Sequence, residues 1–204
     1  LLRPSPWPAT LKSPIIWNSN AYESVDLIKS LAGLVDIYLP DFKYGDDELA
    51  FKFSGVKDYV KKAKESIRGM LEQAGNLKLS KQGAAEKGLI VRHLILPGQA
   101  VNSLKVLKHI REIDKNIRVS LMSQYEPVFK AKDWPEINRR VKPAEYEKVF
   151  DYLIELELDN GWVQELNSQA VFYRILPGRG LLIKKNSYNY WCYHLSVIEN
   201  YRLI

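Results

Sequence analysis

A chain of 204 residues is long enough for one domain with a substantial core, and 46% hydrophobic with 26% charged residues is ordinary for a globular protein rather than a disordered one. The net charge of +6 is uneven, because residues 1–166 carry a net +2 and the last 38 residues carry +4. In 57–68 the lysines alternate with acidic residues opposite an apolar helical stripe, which is typical of a solvated helix face. Charge therefore argues against a nucleic-acid partner.

Cysteine use and hydropathy point to the cytoplasm. The sequence contains no run of about eighteen apolar residues, and its first 13 residues hold three prolines where a secretory signal needs continuous apolar sequence, so we expect no membrane partner. Cys192 is the only cysteine, which excludes an intrachain disulfide and any site built from several thiolates of this chain. The first residue is Leu1 rather than Met, so we expect a processed product or a fragment of a longer protein.

Short apolar runs alternate with helical patterns, which indicates an α/β fold with a mainly parallel sheet. Strands are predicted, in chain order, at 14–18, 35–40, 89–98, 117–125 and 161–166. Helices are predicted at 23–33, 46–53, 56–74, from Asn102 onward and at 143–158. The apolar alternation in 35–40 predicts a strand buried on one face, and 76–88 predicts a polar connection.

Polar residues follow four of these strands, at 18–20, 41–43, 97–99 and 123–127. Ligands of parallel α/β sheets collect at the carboxyl ends of the strands, so these stretches predict one shared site. Asp41 and Lys43 are two residues apart and would point to the same side, where a carboxylate and an ammonium complement a zwitterion such as an amino acid. The alternative is an ion pair that only ends a strand.

A series of segments carries a family resemblance: "PIIWNSNAYE", "DIYLPDFKYGDDELAFKFSGV", "VRHLILPG" and "VSLMSQYEP", in this order. They resemble the later strands of radical S-adenosylmethionine (radical SAM) proteins of the pyruvate formate-lyase activating-enzyme type, and most of all its uncharacterised homologues. The resemblance implies the C-terminal part of an incomplete (βα)6 barrel, a partial TIM barrel. It covers 14–168, which leaves an irregular segment 1–13 and a divergent basic, aromatic tail 169–204.

The same resemblance implies a chemistry. Such proteins hold S-adenosylmethionine across the barrel mouth and bind a 4Fe-4S cluster through a CxxxCxxC motif. Reductive cleavage of S-adenosylmethionine gives a 5′-deoxyadenosyl radical, which abstracts hydrogen from a protein glycine or another substrate. A protein substrate is thus an implied partner of the intact form.

Site residues follow from the resemblance position by position. Asn18, Ser19 and Asn20 match the polar stretch that contacts the methionyl part of the cofactor, and Ala21 stands where glycine is often found. Asp41 and Lys43 match a D-x-K pair associated with the cofactor's amino-acid end.

Two further positions are implied, on the strands that follow. Arg92 matches an arginine that could bind the methionyl carboxylate, with an interior ion pair to Asp41 as the alternative. Tyr125 stands where activases carry a histidine, so a contact with the adenosine is expected there. Gln124 is a further candidate. His93 alternates with Arg92 and is expected to pack under a helix.

The chain lacks a motif that the activity of such proteins requires. No CxxxCxxC motif is present and Cys192 cannot replace it, so the cluster ligands are absent from this chain and no metal ligand is assigned. We therefore expect the chain alone to lack radical chemistry, with S-adenosylmethionine affinity weak or lost and catalytic residues unidentified. Two rival hypotheses remain: a lyase or aldolase using Lys43 as a Schiff-base amine, and a non-catalytic remnant or partner-binding fragment that associates through the exposed barrel edge at 14–18.

Overall fold

The structure is a computed structural model that describes residues 13–164, residue 166 and the backbone of 172–175 and 182–184. The predicted segment 1–13 lies outside the described residues except for Ser13. The predicted tail 169–204 lies outside them except for the two short stretches of backbone.

Strands and helices alternate through most of the described chain. The strands are β1 (Ile16–Ser19), β2 (Ile37–Pro40), β3 (Lys78–Leu79), β4 (Ala85–Leu94), β5 (Arg118–Met122), β6 (Trp162–Gln164), β7 (Phe172–Ile175) and β8 (Leu182–Lys184). The helices are α1 (Val25–Ser30), α2 (Asp47–Ser54), α3 (Tyr59–Ala74), α4 (Ala100–Ile113) and α5 (Pro143–Glu155), with a 3-10 turn at Phe129–Asp133.

Local sequence explains where the helices begin and end. The Ser24 hydroxyl accepts a hydrogen bond from the Leu27 amide at 3.2 Å and caps α1, and the Asp46 carboxylate caps α2 by accepting from the Leu49 amide at 2.8 Å. Helix α2 ends at Gly55, which has the left-handed φ of 66° that glycine adopts without strain.

The strands form one mainly parallel sheet within the described residues, so the α/β prediction is confirmed at that level. The order is β1-β2-β4-β5-β6-β7-β8, with β3 beside β4. Strands β1, β2, β4, β5 and β6 are parallel to their neighbours in this series, whereas β3, β7 and β8 pair antiparallel. Each parallel crossover carries helical structure, and the carboxyl ends of the parallel strands therefore lie at one edge.

The sheet has apolar side chains on both faces. On one face, residues of the strands pack with the helices in the larger core cluster, which includes Tyr38, Val91 and Leu121. On the other face lies a smaller cluster: Ile37, Leu39, Leu77, Ala85, Ile90, Met122 and Trp162. Successive residues of one strand belong to different clusters, as the strand period of two requires.

Two local predictions are wrong. Strand β2 is buried on both faces rather than one, because Tyr38 also packs inside and its hydroxyl donates to Gln73 Oε1 at 2.7 Å. The polar stretch 76–88 is not only a connection, since β3 and the first residues of β4 form an antiparallel pair there.

No helix in the described part of the chain is long and apolar enough to cross a membrane.

Candidate functional site at the strand ends

Three neighbouring strands bring polar side chains to one place at the carboxyl edge of the sheet. Asn18 lies near the end of β1, Asp41 directly follows β2, and Arg92 lies near the end of β4. Asp41 and Arg92 are paired across the two parallel strands by a β-bridge, so their side chains emerge on the same face. Of the four polar stretches predicted to form one site, 18–20 and 41–43 meet here, and Arg92 from within β4 joins them. In the other two stretches, the Gly98 amide donates to Glu145 Oε1 at 2.7 Å and Tyr125 lies in the helix-side core, so these two residues are not part of the cluster.

Arg92 joins the three strands. Its Nε donates to Asp41 Oδ1 at 2.6 Å and its Nη2 donates to Asn18 Oδ1, also at 2.6 Å. Arg92 is only 2% exposed and Asp41 only 6%, so this is a buried ion pair. The interior ion pair, given above as the alternative role of Arg92, is what the structure contains.

Lys43 forms the accessible part of the same cluster. Its Nζ donates to Asn20 Oδ1 at 2.7 Å, and Lys43 is half-buried while Asn20 is exposed. Burial lowers the pKa of Lys43, which the neighbouring Asp41 carboxylate opposes and the Arg92 cation reinforces. Burial likewise raises the pKa of Asp41, against the opposing effect of Arg92 and Lys43.

These hydrogen bonds fix the orientation of both asparagine side chains. A cationic nitrogen can only donate, so the atoms that face Arg92 and Lys43 must be the amide oxygens of Asn18 and Asn20. Among the described residues, neither amide NH₂ group has a hydrogen-bond partner, and both side chains are exposed. The cluster therefore offers solvent two neutral donors beside the Lys43 ammonium, which is a donor set suited to a carboxylate.

Buried helix side chains hold the backbone of 41–45. The Tyr59 hydroxyl of α3 accepts from the Lys43 amide at 2.8 Å and lies 3.0 Å from the Asp41 carbonyl oxygen and 3.1 Å from the Asn20 carbonyl oxygen. Asn102 of α4 donates to the Lys43 carbonyl at 2.9 Å and accepts from the Gly45 amide at 2.6 Å.

His93 contacts the same segment from β4. Its Nδ1 lies 2.7 Å from the Phe42 carbonyl oxygen and its Nε2 lies 2.8 Å from Ser103 Oγ. Since a carbonyl only accepts, Nδ1 carries the proton and Nε2 accepts from the serine hydroxyl. Burial lowers the pKa of His93 to about 4, so the ring is neutral at pH 7. The prediction that His93 packs under a helix is confirmed.

Two other predicted site residues do not join the cluster. Ser19 Oγ accepts from the Ala21 amide at 3.2 Å, and Ala21 has a φ of 59°, a left-handed conformation that glycine adopts more readily than other residues. Tyr125 lies in the helix-side core, 4% exposed, and its hydroxyl has no hydrogen-bond partner among the described residues. Burial raises the pKa of Tyr125 to about 12.

A surface depression elsewhere in the described part does not include the strand-end residues. It lies between α2 and the start of α4 and is lined by Asp46, Glu48, Leu49, Lys52, Gln99, Val101 and Asn102. Two of its charged residues are in ion pairs of the fold, Asp46 with Lys105 at 2.8 Å and Lys52 with Glu136 at 2.5 Å.

Sequence reasoning missed Tyr59 and Asn102. The apolar stripe of α3 predicts only that Tyr59 is buried, and the sequence predicts Asn102 only as the start of a helix, which in the structure begins at Ala100. A signal was available for Asn102, because a polar residue at an inward-facing helix position needs a hydrogen-bond partner when it is buried.

Comparison with known proteins finds a relative in an archaeon. An uncharacterised protein of the archaeon Methanocaldococcus jannaschii is 35% identical over 147 residues. The match covers 72% of this chain and 39% of the archaeal protein, so the chain spans well under half the length of that relative. No family model matches the chain, and no solved structure matches it.

Proposed function

We propose that the strand-end cluster binds the methionyl end of S-adenosylmethionine, in a protein of the radical SAM kind similar to the pyruvate formate-lyase activating enzyme. The sheet would then be the C-terminal part of an incomplete (βα)6 barrel. The observation that supports this proposal best is the half-buried Lys43 ammonium beside Asn20, with the Asp41–Arg92 pair beneath it. Positive and negative groups at one sheet edge suit an α-amino acid zwitterion.

Each residue has a separate task in this proposal. The Lys43 ammonium and the amide NH₂ groups of Asn18 and Asn20 donate to the ligand carboxylate. Asp41 supplies the negative charge that attracts the ligand ammonium. Arg92 is buried and already bound to Asp41 and Asn18, so it holds these two side chains in place rather than meeting the ligand.

A 4Fe-4S cluster does not fit the residues of this chain. Such a cluster with S-adenosylmethionine on its fourth iron needs three thiolates, and the sequence contains one cysteine, Cys192, which lies outside the described residues. Within the described part, no group of three or more His, Cys, Asp or Glu side chains is arranged to hold a metal ion. This chain is therefore assigned ligand binding only, and any cluster ligands would have to come from residues outside it.

Calorimetric titration with S-adenosylmethionine tests the binding. Lys43→Met is the main variant, because Asp41→Ala would leave Arg92 buried without its carboxylate. Lys64→Met is the matched control, since Lys64 is half-buried like Lys43 but lies on helix α3, away from the strand ends. Its ammonium is paired with the Glu112 carboxylate at 2.8 Å. A solvent-screened contact is worth about 1 kcal/mol, so we expect Lys43→Met to weaken binding about fivefold and Lys64→Met to leave it unchanged.

The strength of binding also tests the proposal. We expect wild-type affinity weaker than about 1 µM, which corresponds to roughly 8 kcal/mol. Sub-micromolar affinity would contradict an incomplete site, and no binding at millimolar concentration would contradict the proposal itself. After anaerobic incubation with iron, sulfide and dithionite, we expect no 5′-deoxyadenosine from this chain alone, and turnover would refute the assignment of binding only.

A second candidate function is supported by the lowered pKa of Lys43. A Schiff-base lysine must be neutral to attack a carbonyl, and burial of Lys43 favours its neutral form. The amine would add to the carbonyl carbon and lose water to give an imine. Borohydride with a panel of small aldehydes and ketones tests this, because reduction would leave a stable mass increase on Lys43; labelling of exposed lysines alone would refute it.

A further inference from the structure

The hydroxyl of Tyr59 is a common anchor for three residues of the candidate site. It accepts a hydrogen bond from the Lys43 amide at 2.8 Å. It also lies within donating distance of the carbonyl oxygens of Asp41 and Asn20, at 3.0 and 3.1 Å. Tyr59 is 2% exposed. One buried oxygen thus links the loop after β1 to the segment after β2. Backbone hydrogen bonds still tie Asp41 and Phe42 to the neighbouring strands, from the Asp41 amide to the Ser19 carbonyl oxygen and from the Phe42 amide to the Arg92 carbonyl oxygen, both at 2.9 Å, whereas among the described residues no such bond holds Asn20 or the Lys43 amide.

The ring that carries this hydroxyl is itself fixed by aromatic neighbours. It stacks on Tyr22 with centroids 5.8 Å apart, meets Tyr44 edge-on at 5.3 Å and lies 6.2 Å from Phe42. Burial raises the pKa of Tyr59, so the hydroxyl keeps its proton and remains both donor and acceptor at neutral pH. Aromatic packing from three sides leaves the oxygen little freedom to follow the two segments if they move.

The link matters for the ligand-facing groups because they lie on these two segments. The contact between Lys43 Nζ and Asn20 Oδ1 joins flexible side chains, one half-buried and the other exposed. It persists only if the two backbones keep their spacing, since an exposed polar contact has little free energy of its own. Tyr59 supplies that spacing from beneath.

We propose that Tyr59 is a positioning residue that sets the distance between Asn20 and Lys43 and thereby the affinity of the site for the carboxylate of its ligand. This inference rests on the proposed function and deepens it. Tyr59 itself touches no ligand. Its contribution is preorganisation, in which the cost of ordering the binding groups is met before the ligand arrives.

Tyr59→Phe removes the hydroxyl and keeps the ring. Its matched control is Tyr44→Phe, because Tyr44 is equally buried, belongs to the same aromatic cluster and loses one side-chain hydrogen bond, to Ser54 Oγ at 2.6 Å. The control hydroxyl does not touch the backbone of Asn20, Asp41 or Lys43. Tyr59→Phe should lose more thermal stability than Tyr44→Phe, because it leaves three backbone groups without their partner rather than one side-chain hydroxyl. The control therefore shows what removing a buried hydroxyl from this aromatic cluster does to the site when the backbone of Asn20 and Lys43 keeps its contacts.

Two measurements on the full chain decide the matter. Titration with S-adenosylmethionine should show affinity reduced about tenfold in Tyr59→Phe and less than twofold in Tyr44→Phe. NMR titration of the Lys43 side chain without ligand should show its pKa below the ordinary lysine value in wild type and in Tyr44→Phe, and moved toward the ordinary value in Tyr59→Phe.

The outcomes separate this inference from the proposed function. Equal effects of the two variants on affinity and on the Lys43 pKa would overturn the role of Tyr59. If wild-type protein does not bind S-adenosylmethionine, the proposed function fails, and the ligand-free titration of Lys43 still decides whether Tyr59 sets the geometry.

Discussion

Replacing Arg92 with methionine should destabilise the fold strongly. Methionine keeps much of the aliphatic stem but removes both donors, so the Asp41 carboxylate stays buried without its guanidinium and the Asn18 amide loses its partner. Breaking a buried ion pair by removing one member costs about 3–5 kcal/mol. Because total stability is commonly about 5–15 kcal/mol, the loss should be a large fraction of it.

The loss should depend on pH in a definite direction. Burial already raises the pKa of Asp41, and removal of Arg92 takes away the largest opposing effect, so the folded pKa rises further above the unfolded value. A group with a raised folded pKa favours folding more as the pH falls. The cost of Arg92→Met should therefore be smaller at pH 4.5 than at pH 7.5.

Urea denaturation followed by circular dichroism measures this cost. Arg140→Met is the control, since Arg140 pairs with Glu126 where both side chains are exposed, and its loss should cost about 1 kcal/mol or less. The double variant Asp41→Leu/Arg92→Met should recover most of the stability, because no buried charge remains. A cost below about 1 kcal/mol for Arg92→Met, or no recovery in the double variant, would refute the reasoning.

Three other changes follow from single contacts. The folded-state pKa of His93 is about 4, below its unfolded value near 6.5, so the free energy of unfolding of wild type should fall by about 3 kcal/mol as the pH falls from 6.5 to 4. His93→Gln should lack this component, and parallel curves of unfolding free energy against pH for the two proteins would contradict the prediction. A Cβ at Gly45 would lie 2.7 Å from the Asn102 carbonyl oxygen, so Gly45→Ala should cost at least about 2 kcal/mol in denaturant unfolding, and an unchanged midpoint would show that α4 moves aside freely. Hydrogen bonds from Arg139 lower the pKa of Glu145 to about 2, so Glu145→Gln should cost about 1 kcal/mol at pH 7 after allowance for solvent screening, and the difference from wild type should vanish as the pH falls from about 4.5 to 2; a difference that persists at pH 2 would mean that the charge is not responsible.

The convergence of Asn18, Asp41 and Arg92 could be predicted from the sequence. Parallel strands place their carboxyl ends at one edge, and the period of two places alternate residues on one face. The polar residues that follow the apolar runs were therefore expected to meet. In the structure Asn18 and Asp41 do meet, at Arg92, whereas the Gly98 amide binds Glu145 and Tyr125 lies in the core. The pattern did not predict how deeply each side chain is buried. This burial is what separates Arg92, which is enclosed and paired with Asp41, from Lys43, which is half-buried.

The supporting residues could not be predicted from periodicity. A helical stripe indicates which face of α3 is buried, and it places Tyr59 in the core, but it does not say which backbone groups the phenol oxygen reaches. That depends on how α3 lies against the loops after β1 and β2, a relation between segments 39 and 18 residues apart in sequence. Tyr125 shows the same limit, because it follows the end of β5 at Met122, where strand periodicity no longer fixes the direction of a side chain.

Recognition of a ligand carboxylate by Lys43 and its neighbours is the central claim, and comparing two ligands tests it most directly. Decarboxylated S-adenosylmethionine keeps the sulfonium, the adenosine and the amine and lacks only the carboxylate. Titrated into wild-type protein, it should bind at least about fivefold more weakly than S-adenosylmethionine, and the difference between the two ligands should be smaller in Lys43→Met, which keeps only the amide donors of Asn18 and Asn20. Equal affinity of wild type for both ligands would contradict the claim.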